Sequence, residues 1–152
     1  MRYLFIFILL ILNSCKGQKE VTTNKEKSVG ENDDRITLLV QDNYSGSDIP
    51  ESIIIKDAKS LKSFYSKINR TRKPGLPVPE IDFTQEMILV YSSGKMTSNK
   101  KMELTFKDET IDQLVLEIEI KKLDVDSNTF INPFGVYKLP LIKKKIIVKS
   151  FK

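Results

Sequence analysis

The sequence has no histidine, no tryptophan and a single cysteine, Cys15, among 152 residues. Without histidine it lacks the commonest general base near neutral pH and the commonest metal ligand. With one thiol it can form no intrachain disulfide and no cysteine-based metal site. Ser-His-Asp and Cys-His hydrolases and histidine- or cysteine-based zinc sites are thereby excluded. The fold must rest on its core alone, and no cofactor is expected. Long apolar runs are missing too. The longest, residues 4–12, would make a helix of about 13 Å, far short of a hydrocarbon core of about 30 Å.

That short run has a different meaning. Arg2 precedes it and Asn13-Ser14-Cys15 follows it, giving a positive start, an apolar stretch and a small residue before a cut, the order of a signal peptide. Leu12-Asn13-Ser14-Cys15 resembles the bacterial lipobox, with an aliphatic residue three positions before the cysteine and a small one just before it. The resemblance implies cleavage before Cys15, a diacylglycerol on its thiol and an acylated new amino terminus. More than one chain is what stable anchoring requires. The expected location is the cell envelope, most simply the outer membrane facing the periplasm, since Lys16 and not an aspartate follows the cysteine.

Removing residues 1–14 takes away one charged residue, Arg2, and leaves 24 Lys+Arg against 20 Asp+Glu. A mild, dispersed basic balance suits solubility beside an anionic membrane and does not point to nucleic acid. Residues 16–35 are almost entirely polar or charged, with Val21 and Val29 the only aliphatics, too few to bury anything. The expected organisation is a signal peptide over residues 1–14, a lipidated flexible tether over 15–35 and one globular domain over 36–152. A tether of that length spans about 25 Å as a coil.

Within the domain, Ile36, Leu38 and Val40 alternate with Thr37, Leu39 and Gln41 and predict a strand; a second is expected over residues 52–56. Asp57 then offers a helix N-cap, and Leu61, Phe64, Tyr65 and Ile68 form the apolar stripe of one amphipathic helix. Pro74, Pro77 and Pro79 force residues 70–79 into an extended loop. Residues 87–91 are continuously apolar and read as a central strand buried on both faces. Met102, Leu104 and Phe106, then Leu114, Leu116, Ile118 and Ile120, alternate with polar residues and predict a hairpin with one wet face. Ile146 and Val148 close the chain in a last strand. The fold class is α+β and β-rich: a mainly antiparallel twisted sheet, sandwich-like or a partly open barrel, with one amphipathic helix.

The helix at residues 61–68, the stretch Ile81-Asp82-Phe83-Thr84-Gln85-Glu86-Met87-Ile88-Leu89-Val90 and the late Asn132-Pro133-Phe134-Gly135-Val136-Tyr137-Lys138-Leu139-Pro140 together resemble the C-terminal domain of the protease complex subunit PrcB family. That resemblance implies a lipoprotein associated with a surface protease. The family's central strand leads into a Pro-Thr-Gly-Gly-Tyr-like turn, whereas here the chain reads Gly94-Lys95-Met96-Thr97-Ser98-Asn99-Lys100-Lys101. Only Gly94 and Thr97 match, so a turn that needs paired glycines at positive φ is not available.

Several clusters invite a functional reading. Asp124, Asp126 and Asn128 stand at alternate positions of a calcium-type loop, but Thr129 occupies the required glycine's place and Gly135 that of the bidentate glutamate, so no metal is expected. Lys143, Lys144 and Lys145, with Lys138 and Lys149, could attract anionic headgroups, although lysines on a terminal strand also discourage edge-to-edge pairing. Glu117 and Glu119 lie about 7 Å apart on one strand face. They are expected to form the hairpin's wet face with lysines opposite, and not a catalytic pair. The loops holding Gly94, Thr97, Asn99 and Lys100, and Asn132, Pro133 and Phe134, are the expected partner-contact surface. The sequence thus predicts a non-catalytic, membrane-anchored binding domain whose partner is an envelope protein such as a protease. A small-ligand binding module and a carboxylate-dependent hydrolase are the alternatives.

Overall fold

The computed structural model describes residues 34–127 and 129–150. Cys15 and the expected signal peptide lie outside them, as does all but the last part of the expected tether. Nine strands and one helix follow in order: β1 (Thr37–Asp42), β2 (Pro50–Ile55), α1 (Ala58–Ile68), β3 (Glu86–Ser93), β4 (Met96–Thr97), β5 (Lys100–Glu109), β6 (Gln113–Lys122), β7 (Phe130–Ile131), β8 (Phe134–Pro140) and β9 (Lys145–Ser150). A single turn of 3-10 helix, Asn69–Thr71, follows α1.

The strands form a four-stranded sheet in the order β1-β8-β3-β2, a three-stranded sheet in the order β5-β6-β9, and a small β4-β7 pair. All pairings are antiparallel except β6 with β9. That exception has a topological cause. A parallel neighbour cannot be reached by a tight turn, and between β6 and β9 the chain crosses to the other sheet, lays down β8 there, and returns. The arrangement is the expected β-rich α+β fold, a sandwich that does not close into a barrel.

Residue alternation explains the layers. In β3, Met87, Leu89 and Tyr91 face the β5–β6 hairpin and pack with Met102, Leu104, Leu114, Leu116 and Ile118. Ile88 and Val90 face the other way, against Leu61, Tyr65 and Ile68 of α1. A strand clad on both faces reads as an unbroken apolar run, because neither face tolerates a polar residue. β8 alternates in the same manner, sending Tyr137 and Leu139 to the hairpin and Phe134 and Val136 to the helix. Gly135 lies between, and a Cβ there would stand 2.5 Å from the Tyr137 ring. The position is glycine because the tyrosine covers it.

The helix begins where Asp57 caps it. Its Oδ1 accepts from the Ser60 amide at 2.8 Å and its Oδ2 from the Ser60 hydroxyl at 2.8 Å, and these bonds to the ionised form hold its carboxyl below the usual range. At the far end Asn69 bridges to the proline loop, donating to the Leu76 carbonyl and accepting from the Leu76 amide, each at 2.8 Å. The hairpin's outer face is charge-compensated: Glu117 pairs with Lys107 at 2.8 Å and Glu119 with Lys121 at 3.5 Å. β9 is a sheet edge, and of the terminal lysines Lys144 binds Glu109 at 2.6 Å.

Candidate functional site

The two loops expected to form a contact surface do meet, at the end of the sandwich where β1, β3 and β6 finish. Asn132 is their knot. Its Nδ2 donates to the Ser47 carbonyl at 2.8 Å and to Asp48 Oδ1 at 2.7 Å, its amide donates to the Asn43 carbonyl at 3.0 Å, and its own carbonyl accepts from the Ser45 amide at 2.7 Å. One side chain and one peptide thus hold residues 43–48 against the start of β8. The Ser93 amide donates to the Pro133 carbonyl and the Lys95 amide to the Asp48 carbonyl. β4 and β7 pair through Met96 with Ile131 and Thr97 with Phe130. Thr97 Oγ1 donates to Asn99 Oδ1 at 2.6 Å, and the Asn99 carbonyl accepts from the Leu123 amide at 2.7 Å.

Proximity is not accessibility, and here the expectation needs correction. Phe134 is fully buried, wedged edge-on against Phe64 with ring centroids 6.0 Å apart. It is a core residue of β8 and not a loop aromatic. Pro133 and Gly94 are buried as well. Gly94 has φ of +71°, and a Cβ on it would stand 2.7 Å from the Asp48 carbonyl oxygen and 2.8 Å from the Ile49 carbonyl carbon. It is glycine for conformation and for space at once. After it, residues 95–101 turn without any positive φ, as the missing second glycine requires. Thr97, Asn99 and Asn132 are half-buried and engaged within the loops; Lys100 alone of the seven expected contact residues is exposed.

The outward-facing groups of this end are different ones. Tyr44 is 56 % exposed, Ile49 70 % and Phe130 63 %, and Lys95 Nζ lies 4.6 Å from the Phe130 ring centroid. Val125 is also exposed. Sequence periodicity passes over these residues because Tyr44, Ile49 and Val125 each stand alone in a polar stretch and Phe130 lies in a strand of only two residues. The available signal was that isolation: a large apolar residue inside Asp42-Asn43-Tyr44-Ser45-Gly46 or Ser47-Asp48-Ile49-Pro50 has no strand or helix face to serve. Arg72, also without a periodic pattern to flag it, fixes the Tyr44 loop from beneath. Its Nη2 lies 2.5 Å from Asp42 Oδ1 and donates to the Tyr44 carbonyl, and its Nη1 donates to the Ile68 carbonyl.

Several carboxylates elsewhere are engaged in ion pairs. Glu103 is held below the usual carboxylate range by hydrogen bonds from Lys121 and then Lys101, and Glu109 by Lys144 and then Arg35. Tyr137 is pushed up to about 12 by burial, with the charge of Glu103 adding to it. The hydroxyls of Tyr65 and Tyr91 are buried without a partner. Among the described residues no three of histidine, cysteine, aspartate and glutamate gather as a metal would need; Asp124 and Asp126 are exposed and Asn128 lies outside the described set. Nor is any helix among the described residues long and apolar enough to cross a membrane.

No family model, no curated protein and no solved structure matches the chain.

Proposed function

We propose that the chain is an envelope lipoprotein, anchored through lipid on Cys15 and carried by the outer membrane facing the periplasm, whose domain binds a protein partner without catalysing a reaction. The loop end knotted by Asn132 is the binding surface, and an envelope protease is the kind of partner the PrcB resemblance implies. The observation that carries this reading is the exposure of Tyr44, Ile49 and Phe130 on loops that are otherwise tightly hydrogen-bonded. Exposed apolar groups on a pre-ordered scaffold are the usual material of an interface, because little entropy remains to be lost on binding.

The carboxylates support binding over hydrolysis. A general acid needs its pKa raised toward the working pH, whereas Glu103 and Glu109 are shifted the other way by lysine and arginine partners.

A photo-crosslinking residue in place of Phe130, in the lipidated chain in its native membrane, tests the assignment. A defined protein adduct is expected, and it should disappear when Tyr44→Ser and Ile49→Ser are added. The control is the same group at Ile111, which is exposed on the β5–β6 turn at the hairpin's other end. An equal yield of the same adduct from that position would show that the loop end is not the interface.

A further inference from the structure

The β5–β6 hairpin holds like charges directly across from one another on both of its faces, and resolves them on only one. On the outer face Glu103 stands opposite Glu119 and Lys101 opposite Lys121, and the four neutralise each other, with Glu103 bound by both lysines at 3.0 and 2.5 Å. On the inner face Lys100 stands opposite Lys122, continuing the rows Met102-Leu104 and Ile118-Ile120 that pack into the core. Neither lysine has a carboxylate within 4.0 Å among the described residues. Opposed like charges are destabilising unless something neutralises them.

The two lysines sit where the hairpin runs past the end of the core. With Lys95 from the turn after β3, they line a cavity of about 400 Å³ whose other walls include Ser93, Met96 and Ile120. The Lys95 ammonium lies against the Phe130 ring and has no carboxylate within 4.0 Å among the described residues. Three lysines from three segments therefore line one recess that has no acidic lining residue.

We propose that this recess binds a phosphate group carried on an apolar body. A compact ammonium matches a tetrahedral, multiply charged oxyanion, whereas a planar carboxylate is more often held by the fork of an arginine. Met96 and Ile120 offer the apolar part a floor, and the volume falls in the range of small-molecule sites, about 300–1,000 Å³. A phospholipid headgroup and a soluble phosphate ester share this chemistry. The recess adjoins the partner-binding surface at Lys95, whose Nζ lies 4.6 Å from the Phe130 ring centroid, but neither Tyr44, Ile49 nor Phe130 lines it.

The test uses the purified full-length chain with two probes: phenyl phosphate, and vesicles of phosphatidylglycerol in phosphatidylcholine compared with phosphatidylcholine alone. Side-chain NMR signals of Lys95, Lys100 and Lys122 should shift and saturate with phenyl phosphate, or with the anionic vesicles only. The first outcome identifies a soluble ester and the second a headgroup. Affinity should fall about 25-fold in Lys100→Gln/Lys122→Gln and about five-fold in Lys95→Gln, which leaves both strands intact. Lys59→Gln/Lys62→Gln removes the same charge from the exposed face of α1 and should change affinity less than two-fold. Absence of saturable shifts with either probe, or an equal loss in the α1 variant, would overturn the proposal.

Discussion

The guanidinium of Arg72 stacks over the ring of Phe134, 5.7 Å from its centroid, while its Nη2 lies 2.5 Å from Asp42 Oδ1. The two residues join the end of the helix, the end of β1 and the start of β8 at one point. The Arg72 side chain is only 12 % exposed, so the carboxylate and carbonyls it satisfies cannot all turn to water if it is lost.

Arg72→Met should therefore destabilise the domain by about 2–3 kcal/mol, through acceptors left without donors. Arg72→Lys should recover little of this, because a single ammonium cannot reproduce the fork. Urea unfolding measures both, and a loss below about 0.5 kcal/mol for the methionine variant would show the junction to be ornamental.

Two glycines with similar backbones separate strain from crowding. Gly46 has φ of +78° with nothing within 4 Å of where a Cβ would stand, whereas Gly94 at +71° would drive its Cβ into the Asp48 and Ile49 backbone. Gly46→Ala should cost about 1–2 kcal/mol, the ordinary penalty of the left-handed region. Gly94→Ala should cost clearly more, by at least about 1 kcal/mol. Equal midpoints in thermal unfolding would contradict the close approach.

Acid should weaken the hairpin before it weakens the core. Glu103 and Glu109 have folded pKa values below their ordinary 4.5, chiefly through hydrogen bonds from Lys121 and Lys144. A lowered folded pKa contributes stability that is complete above the unfolded value and is lost as pH falls through the folded one. Stability should thus decline below about pH 4.5, and Glu103→Gln/Glu109→Gln should flatten that decline in unfolding curves taken between about pH 5 and 3. An unchanged slope would mean that these pairs are too solvated to matter.

The tyrosines give the opposite sign at alkaline pH. Tyr137 is raised to about 12, so its contribution is complete below its ordinary pKa of 10.0 and is lost as pH rises from there toward 12. Tyr137→Phe should remove part of the alkaline destabilisation, with Tyr65, also raised by burial, supplying the rest. Tyr91→Phe should be neutral or stabilising by up to about 1 kcal/mol, because it deletes a buried hydroxyl that has no partner. A loss of more than that would reveal a bond its hydroxyl makes with bound water.

Cys15→Ala should block lipid attachment and processing while leaving the domain after residue 36 folded. Incorporation of a labelled fatty acid into wild-type protein but not into the variant is the expected readout. Lipid-bound, mature-sized variant would refute the anchor.

Much of the scaffold was legible because local pattern and burial coincide. The stripe of Leu61, Tyr65 and Ile68, the cap at Asp57 and the alternation in β5 and β6 all depend on neighbours a few residues away. The unbroken run at residues 87–91 even disclosed a strand covered on both sides. Phe134 and Phe130 show where that reading stopped. Four residues apart in one polar stretch, one is fully buried and the other 63 % exposed, and nothing local separates them. The difference is made by Val136, Phe64 and α1, which the fold brings against Phe134 alone.

Sequence by itself thus determined six of the nine strands, though not β4, β7 or β8, together with the helix, the absence of histidine and the lone cysteine with its lipobox-like setting, since each is written in composition or short-range period. Tertiary structure decided what shares a surface. β5 and β6 change register between Phe106 and Asp108, and that one-residue shift sets Lys100 opposite Lys122 on the inner face. Without it every partner beyond the bulge would slip by one, and the recess with its three lysines would not exist.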